Sequence, residues 1–215
     1  MGFAEARIEG ESQMLELDHL AVAGESLEAA VAHVEDALGV KMLPGGQHAR
    51  YGTHNQLLGL GDGLYLEAIA TDPSVGSLPH ARWFDLDRFE GSPRLGNWIC
   101  RSDDLEADVA SIPLDVGLPV ALTRGDLRWR MAVPDSGVLP YGDCFPALMQ
   151  WDVSPTPASL LAGSGCTLLR LEVAHPDAGD LQAAVPLIDP RIVYVEGTTA
   201  LRASFDTPHG KRVLQ

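Results

Sequence analysis

Two polar residues interrupt runs that otherwise read as apolar strands. His19 sits in Leu17-Asp18-His19-Leu20-Ala21-Val22-Ala23, and Glu67 in Leu64-Tyr65-Leu66-Glu67-Ala68-Ile69-Ala70. Strand side chains alternate between faces, so His19 shares a face with Leu17 and Ala21, and Glu67 shares one with Tyr65 and Ile69. A lone carboxylate on such a strand is costly to bury unless it is paired or coordinated. An imidazole and a carboxylate that meet can move a proton or hold a divalent ion. They can equally hydrogen-bond each other in a wet pocket, with no metal at all. The pattern permits all three.

Other side chains offer binding chemistry. Gly52-Thr53-His54-Asn55 reads as a tight turn between strands, with Thr53 and Asn55 projecting either to hold substrate oxygens or to satisfy local backbone. Arg128 and Arg130 flank Trp129 on a strand, so both point one way and the indole the other. Two arginines on one face suit an anionic substrate, since guanidinium pairs bidentately with carboxylate, but they also neutralise surface acids. His48 and His54 are the histidines close enough in sequence to supplement His19. His33 lies off the apolar stripe of a helix, His175 starts another, and His80 and His209 sit beside prolines in loops.

The elements that must position these groups follow a repeated grammar. Residues 17–24 run into a capped helix, and residues 95–102 do the same 78 positions later, His19 falling on Asn97 and Leu27 on Leu105. A fainter third copy starts at Leu168. The first helix places Leu27, Val31, Val34 and Leu38 on one face behind Ser26, with Gly39 as a left-handed stop. The second carries Asp103 and Glu106 at capping-box spacing, and the third follows Asp177. After each helix come strand-like runs divided by Gly and Pro turns. The expected fold is therefore α+β: repeated βαβββ units plus a third, truncated unit. The units span residues 14–72, 94–154 and 167–215, joined by a connection (73–93) and a linker (155–166). Residues 1–13 read as a flexible leader without a secretory signal, and Met14 is an alternative start.

Composition excludes several classes of function. The chain has 215 residues and a net charge of −15 with no basic run, a field that repels nucleic acid and anionic membrane surfaces alike. No apolar stretch approaches the ~18 residues of a membrane span. Cys100, Cys144 and Cys166 form no CxxC pair and fit reduced thiols in a cytoplasmic protein. No phosphate-binding glycine loop and no nucleophile elbow occurs, so no nucleotide cofactor is expected.

Taken in order, several stretches resemble the glyoxalase-like domain family of the vicinal oxygen chelate superfamily. They are Leu17-Asp18-His19, Gly45-Gly46-Gln47-His48, Gly52-Thr53-His54-Asn55, Tyr65-Leu66-Glu67, Arg128-Trp129-Arg130, Pro146 with Gln150-Trp151, and His175-Pro176-Asp177. The resemblance runs from about residue 15 to the end. It implies paired curved sheets forming a cup, with a divalent metal (Zn, Fe or Mn) held from the first and last strands of each unit. By that alignment the ligands are His19, Glu67, Asn97 and Gln150, with Glu67 also serving as catalytic base. Thr53, Asn55, Tyr65, Arg128 and Arg130 are then the substrate-binding candidates. Asn97 and Gln150 are weak amide donors where a glyoxalase I pattern has stronger ones. A single aligned histidine does not make the two-His-one-carboxylate site of a ring-cleaving dioxygenase. The expected function is binding a small polar organic molecule in the cup, with a metal-assisted lyase or isomerase reaction. The alternative is a non-catalytic binding or sequestration protein with a metal-free pocket. Dimerisation is common in the superfamily, and a homodimer competes with the third unit for the same surface.

Overall fold

The computed structural model describes residues 14–215. The leader expected at residues 1–13 lies outside the described residues.

The first unit runs β1 (Glu16–Ala23), α1 (Leu27–Leu38), β2 (Leu43–His48), β3 (Thr53–Gly61) and β4 (Leu64–Thr71). The second runs β5 (Arg94–Arg101), α2 (Leu105–Ser111), β6 (Leu118–Arg124), β7 (Leu127–Val133) and β8 (Ala147–Trp151). Together they make one curled eight-stranded sheet in the order β2-β3-β4-β1-β5-β8-β7-β6. The order is palindromic. In each half the first strand pairs parallel with the last, and β1 meets β5 antiparallel at the centre. This is the α+β class expected from the repeats, closed into the cup that the family resemblance implied.

Local signals account for most elements. Ser26 caps α1 by accepting from the Ala29 amide at 3.2 Å, and Gly39 ends it at φ 73°. The cap of α2 is Asp104, one residue later than the capping box implied, because Ser102 occupies itself with the Asp104 amide and the Asp108 carboxylate. Strand β2 was not legible as a strand. Its Leu-Pro-Gly-Gly-Gln-His sequence has poor strand propensity, and its pairing with β3 is interrupted by a bulge at Gly45-Gly46.

After the short helix α3 (Pro157–Leu160), the third unit runs β9 (Thr167–His175), α4 (Ala178–Ala184), β10 (Ile192–Glu196), β11 (Ala200–Thr207) and β12 (Gly210–Leu214). It forms its own sheet in the order β10-β9-β11-β12. Here the first strand pairs with the strand directly after the helix, so the unit closes on itself and does not extend the cup.

Two cores separate the faces of the large sheet. Leu20, Val22 and Trp98 pack with α1 and with Leu171, Val173 and Phe205 of the small sheet. Ala21, Ile69, Ile99, Trp129, Met131 and Met149 line the opposite, concave face. The connection between the halves folds into the concave side, where a 3-10 turn (Trp83–Asp85) buries Trp83 and Phe84. Among the described residues no helix is long and apolar enough to cross a membrane.

Candidate functional site

His19 and Glu67 meet on the concave face. The register pairs His19 with Tyr65 and Ala21 with Glu67, which places the two side chains on neighbouring strands, one step apart along them. His19 Nε2 lies 3.6 Å from Glu67 Oε2, and the imidazole stacks on the Tyr65 ring at 4.3 Å between centroids. Simple alternation fails just before this point. A bulge at Asp18 puts Leu17 into the opposite core and turns Asp18 toward His19, against the expected pattern. Asp18 Oδ1 is 2.7 Å from His19 Nδ1, and Oδ2 accepts from Trp151 Nε1 at 3.0 Å.

The imidazole therefore has a carboxylate at each nitrogen. Burial alone would lower its pKa, but the pull of Asp18 and Glu67 outweighs burial and raises it to about 9. Glu67 shows the converse. Burial pushes its carboxyl up, and His19, His48 and Asn55 more than reverse this, holding it at about 2. At neutral pH His19 is thus an imidazolium facing an ionised Glu67.

Asn55 and His48 build the wall beside Glu67. Asn55 Nδ2 donates to Glu67 Oε1 at 2.5 Å, while Asn55 Oδ1 accepts from the Gly46 amide at 2.8 Å and from Arg124 Nη1 at 3.2 Å. Burial drives His48 down to about 4, so it is neutral. It can then donate from Nδ1 to Thr53 Oγ1 (3.0 Å) and accept from Arg124 Nη1 at Nε2 (3.1 Å). The glycines of the bulge are required by this packing: a Cβ on Gly45 would lie 2.1 Å from Asn55 Oδ1, and one on Gly46 would lie 2.8 Å from Arg124 Cδ.

Arg124 is the cavity-lining side chain that sequence reading missed. It shares the concave face of β6 with Val120 and Leu122, so alternation was the available signal, but no motif surrounds it. Its remaining guanidinium nitrogens have no hydrogen-bond partner among the described residues. Arg128 and Arg130, expected as a clamp, lie on the outer face of β7. Arg130 pairs there with Glu106 and with Asp152 (3.0 Å), and Trp129 turns inward instead. Thr53 is fully buried and supports His48, without reaching the cavity wall.

His19, Glu67, Asn55 and Arg124, with Tyr65, Trp83, Trp129 and Trp151, enclose a cavity of about 40 Å³. That is roughly the room one water occupies.

The second half supplies less. Leu20 pairs with Trp98, its 78-residue counterpart, at the centre of the antiparallel seam, so the offset relates the two strands about that pair and His19 corresponds to Asn97. By the same offset Ala21, which pairs with Glu67, corresponds to Ile99, which pairs with Ala147. The residue opposite Glu67 in the repeat is thus Ala147. Gln150 lies on the other face, where its Oε1 accepts from the Leu105 amide and its Nε2 donates to the Asp103 carbonyl, each at 2.9 Å. The offset of Gln150 from Glu67 is odd relative to the true register, and an odd slip reverses the face. Asn97 is on the cup side and buried, but it lines a different cavity from His19.

This donor set does not fit a divalent metal. His19 Nε2 and Glu67 Oε2 are two donors, the Asn55 oxygen is already occupied, and the Arg124 cation stands beside them. No group of three or more His, Cys, Asp or Glu among the described residues is arranged to hold an ion.

A family model for the glyoxalase-like domain matches residues 17–187. The chain belongs to the glyoxalase-like domain family. The fold of this glyoxalase-like protein is shared with a hypothetical protein from Staphylococcus aureus, at a TM-score of 0.59 and 16% identity over 93% of this chain and 84% of that one. Methylmalonyl-CoA epimerase from Mycobacterium tuberculosis gives 0.44 and 20%, over 71% and 97%. The Mn(II)-bound glyoxalase from Novosphingobium aromaticivorans gives 0.48 and 10%, over 94% and 82%. No curated protein matches this sequence.

Proposed function

We propose that this glyoxalase-like protein binds a small, oxygen-bearing organic molecule in its cup without a divalent metal. The observation that carries this reading is the asymmetry of the halves: Asn97 and Ala147 stand where His19 and Glu67 have their repeat counterparts. Ligand oxygens would be taken by the free guanidinium nitrogens of Arg124 and by the His19 imidazolium. Its body would lie against Trp83, Trp129 and Trp151. Because the cavity is water-sized, the turn carrying Trp83 and Phe84 has to move to admit such a molecule.

The metal-assisted lyase or isomerase reading needs donors that the second half does not offer. A metal-free enzyme reading rests on a different observation, the ionised Glu67 at the cavity wall, which as a base would take a proton from carbon next to a carbonyl. A carboxylate held near 2 lies roughly five units below neutral pH and is a weak base, which favours binding over turnover.

Calorimetric titration with Zn²⁺, Mn²⁺ and Fe²⁺ tests the metal. Stoichiometric micromolar binding that disappears in Glu67→Gln would overturn the proposal. Tryptophan-fluorescence titration with glyoxylate and pyruvate tests the cup, with saturable quenching expected in wild type and lost in Arg124→Gln. Incorporation of deuterium from D₂O into the pyruvate methyl group, abolished in Glu67→Gln, would establish the enzyme reading instead.

A further inference from the structure

The 78-residue repeat that places His19 in one cavity places Asn97 in another. Beyond Phe84, at the end of β1 and β5, a cleft of about 440 Å³ runs between the concave side of the large sheet, the connection after β4 and the outer side of β9 and β11. Phe84 lines both cavities and so divides the cup into two compartments, one carrying each half's first-strand polar residue. The volume falls in the range of roughly 300–1,000 Å³ typical of small-molecule sites.

Two polar groups in this wall lack partners. Asn97 is 2% exposed, and its Nδ2 makes no hydrogen bond among the described residues. A buried amide N–H of this kind is costly to leave unmet, and a ligand acceptor would satisfy it. Arg202, on the exposed side of β11, forms no ion pair or hydrogen bond among the described residues. The other charges in the wall are already engaged. Arg88 pairs with Asp85 at 2.7 Å, Glu172 pairs with Arg170 at 3.1 Å, and Asp143 accepts from the Leu139 amide at 2.8 Å. Arg94 lies over the Phe89 ring and donates to the carbonyls of Glu90 and Ser92. Phe84, Phe89 and Ala23 supply apolar surface.

We infer that this cleft is a second small-molecule site, separate from the His19 cavity, and that it takes a small organic carboxylate with an apolar or aromatic body. Arg202 pairs with the carboxylate, Asn97 Nδ2 donates to one of its oxygens, and the body rests on Phe84 and Phe89. The inference goes beyond the reading of the cup and stands without it.

The test is an NMR titration of ¹⁵N-labelled protein with phenylacetate and with its uncharged analogue phenylacetamide. Phenylacetate should shift the Asn97 side-chain amide and the Arg202 backbone signal saturably, and bind at least fivefold more tightly than the amide. Arg202→Gln, at an exposed position that folding does not depend on, should remove that preference. Asn97→Leu should weaken both probes, and Glu67→Gln should change neither. Equal affinity for acid and amide, or no saturable shift at Asn97, would overturn the inference. So would loss of binding in Glu67→Gln with Arg202→Gln unaffected, which would place the probe in the His19 cavity.

Discussion

Arg124 Nη1 donates to Asn55 Oδ1 at 3.2 Å, and this bond ties the edge strand β6 of the large sheet to the carboxylate centre of the first half. Arg124 comes from β6 at one edge, and the bulge of β2 at the other edge closes on it, so that the Cβ position of Gly46 approaches Arg124 Cδ to 2.8 Å. The curl of the sheet is what brings these edges together. Asn55 is the hub, touching Gly46, Arg124 and Glu67 at once.

Asn55→Ala should therefore destabilise the protein by about 1–3 kcal/mol, because it leaves a buried carboxylate oxygen and the Gly46 amide without partners. Urea denaturation measures this. A loss smaller than about 0.5 kcal/mol would mean that water replaces the amide at no cost.

Gly45→Ala should be as damaging, for a steric reason. The added methyl would meet Asn55 Oδ1 at 2.1 Å and Asn55 O at 2.4 Å, the latter being backbone that has little room to yield. Overpacking of this kind costs roughly 1–3 kcal/mol. Gly76→Ala, where a Cβ meets nothing within 4 Å, is the control, and its melting temperature should stay at the wild-type value.

Stability should depend on pH through His19 in a defined direction. Its folded pKa, about 9, is above the ordinary value of 6.5, so its contribution is complete below 6.5 and is lost as pH rises through 9. Glu67, held at about 2, contributes above its ordinary 4.5 and loses that contribution as pH falls toward 2. The His19–Glu67 contact enters both shifts and is counted once, while the His19 shift also contains the pull of Asp18. His19→Gln should flatten the alkaline limb between pH 6.5 and 9. An imidazole resonance of His19 titrating near 6.5 would contradict the paired geometry.

Gln150→Leu should lower stability by about 1–2 kcal/mol while leaving glyoxylate and metal titrations as in wild type, because Gln150 tethers the start of α2 through two backbone hydrogen bonds. A change in metal or ligand affinity without loss of stability would return Gln150 to the cup.

Local sequence determined three of the helices and most strands of this protein; the short α3 lies in the stretch read as a linker. The Ser26 cap, the Leu27/Val31/Val34/Leu38 stripe and the Gly39 stop are short-range chemistry, and the 78-residue offset carried the pairing of Leu20 with Trp98. Alternation likewise turned Trp129 away from Arg128 and Arg130. Which side faced the cup was not legible there, since that depends on what packs against each face. Register was where the sequence fell short. The bulge at Asp18 and the pairing of Ile99 with Ala147 each moved side chains to the opposite face from the one alternation or alignment suggested, and a one-residue slip costs nothing that composition records. The lining of the cup was decided by tertiary structure. Arg124 reaches Asn55 only because the sheet curls, and Phe84 splits the concave face in two only because the connection folds inward onto it. Both contacts join residues far apart in sequence, and no local preference encodes them.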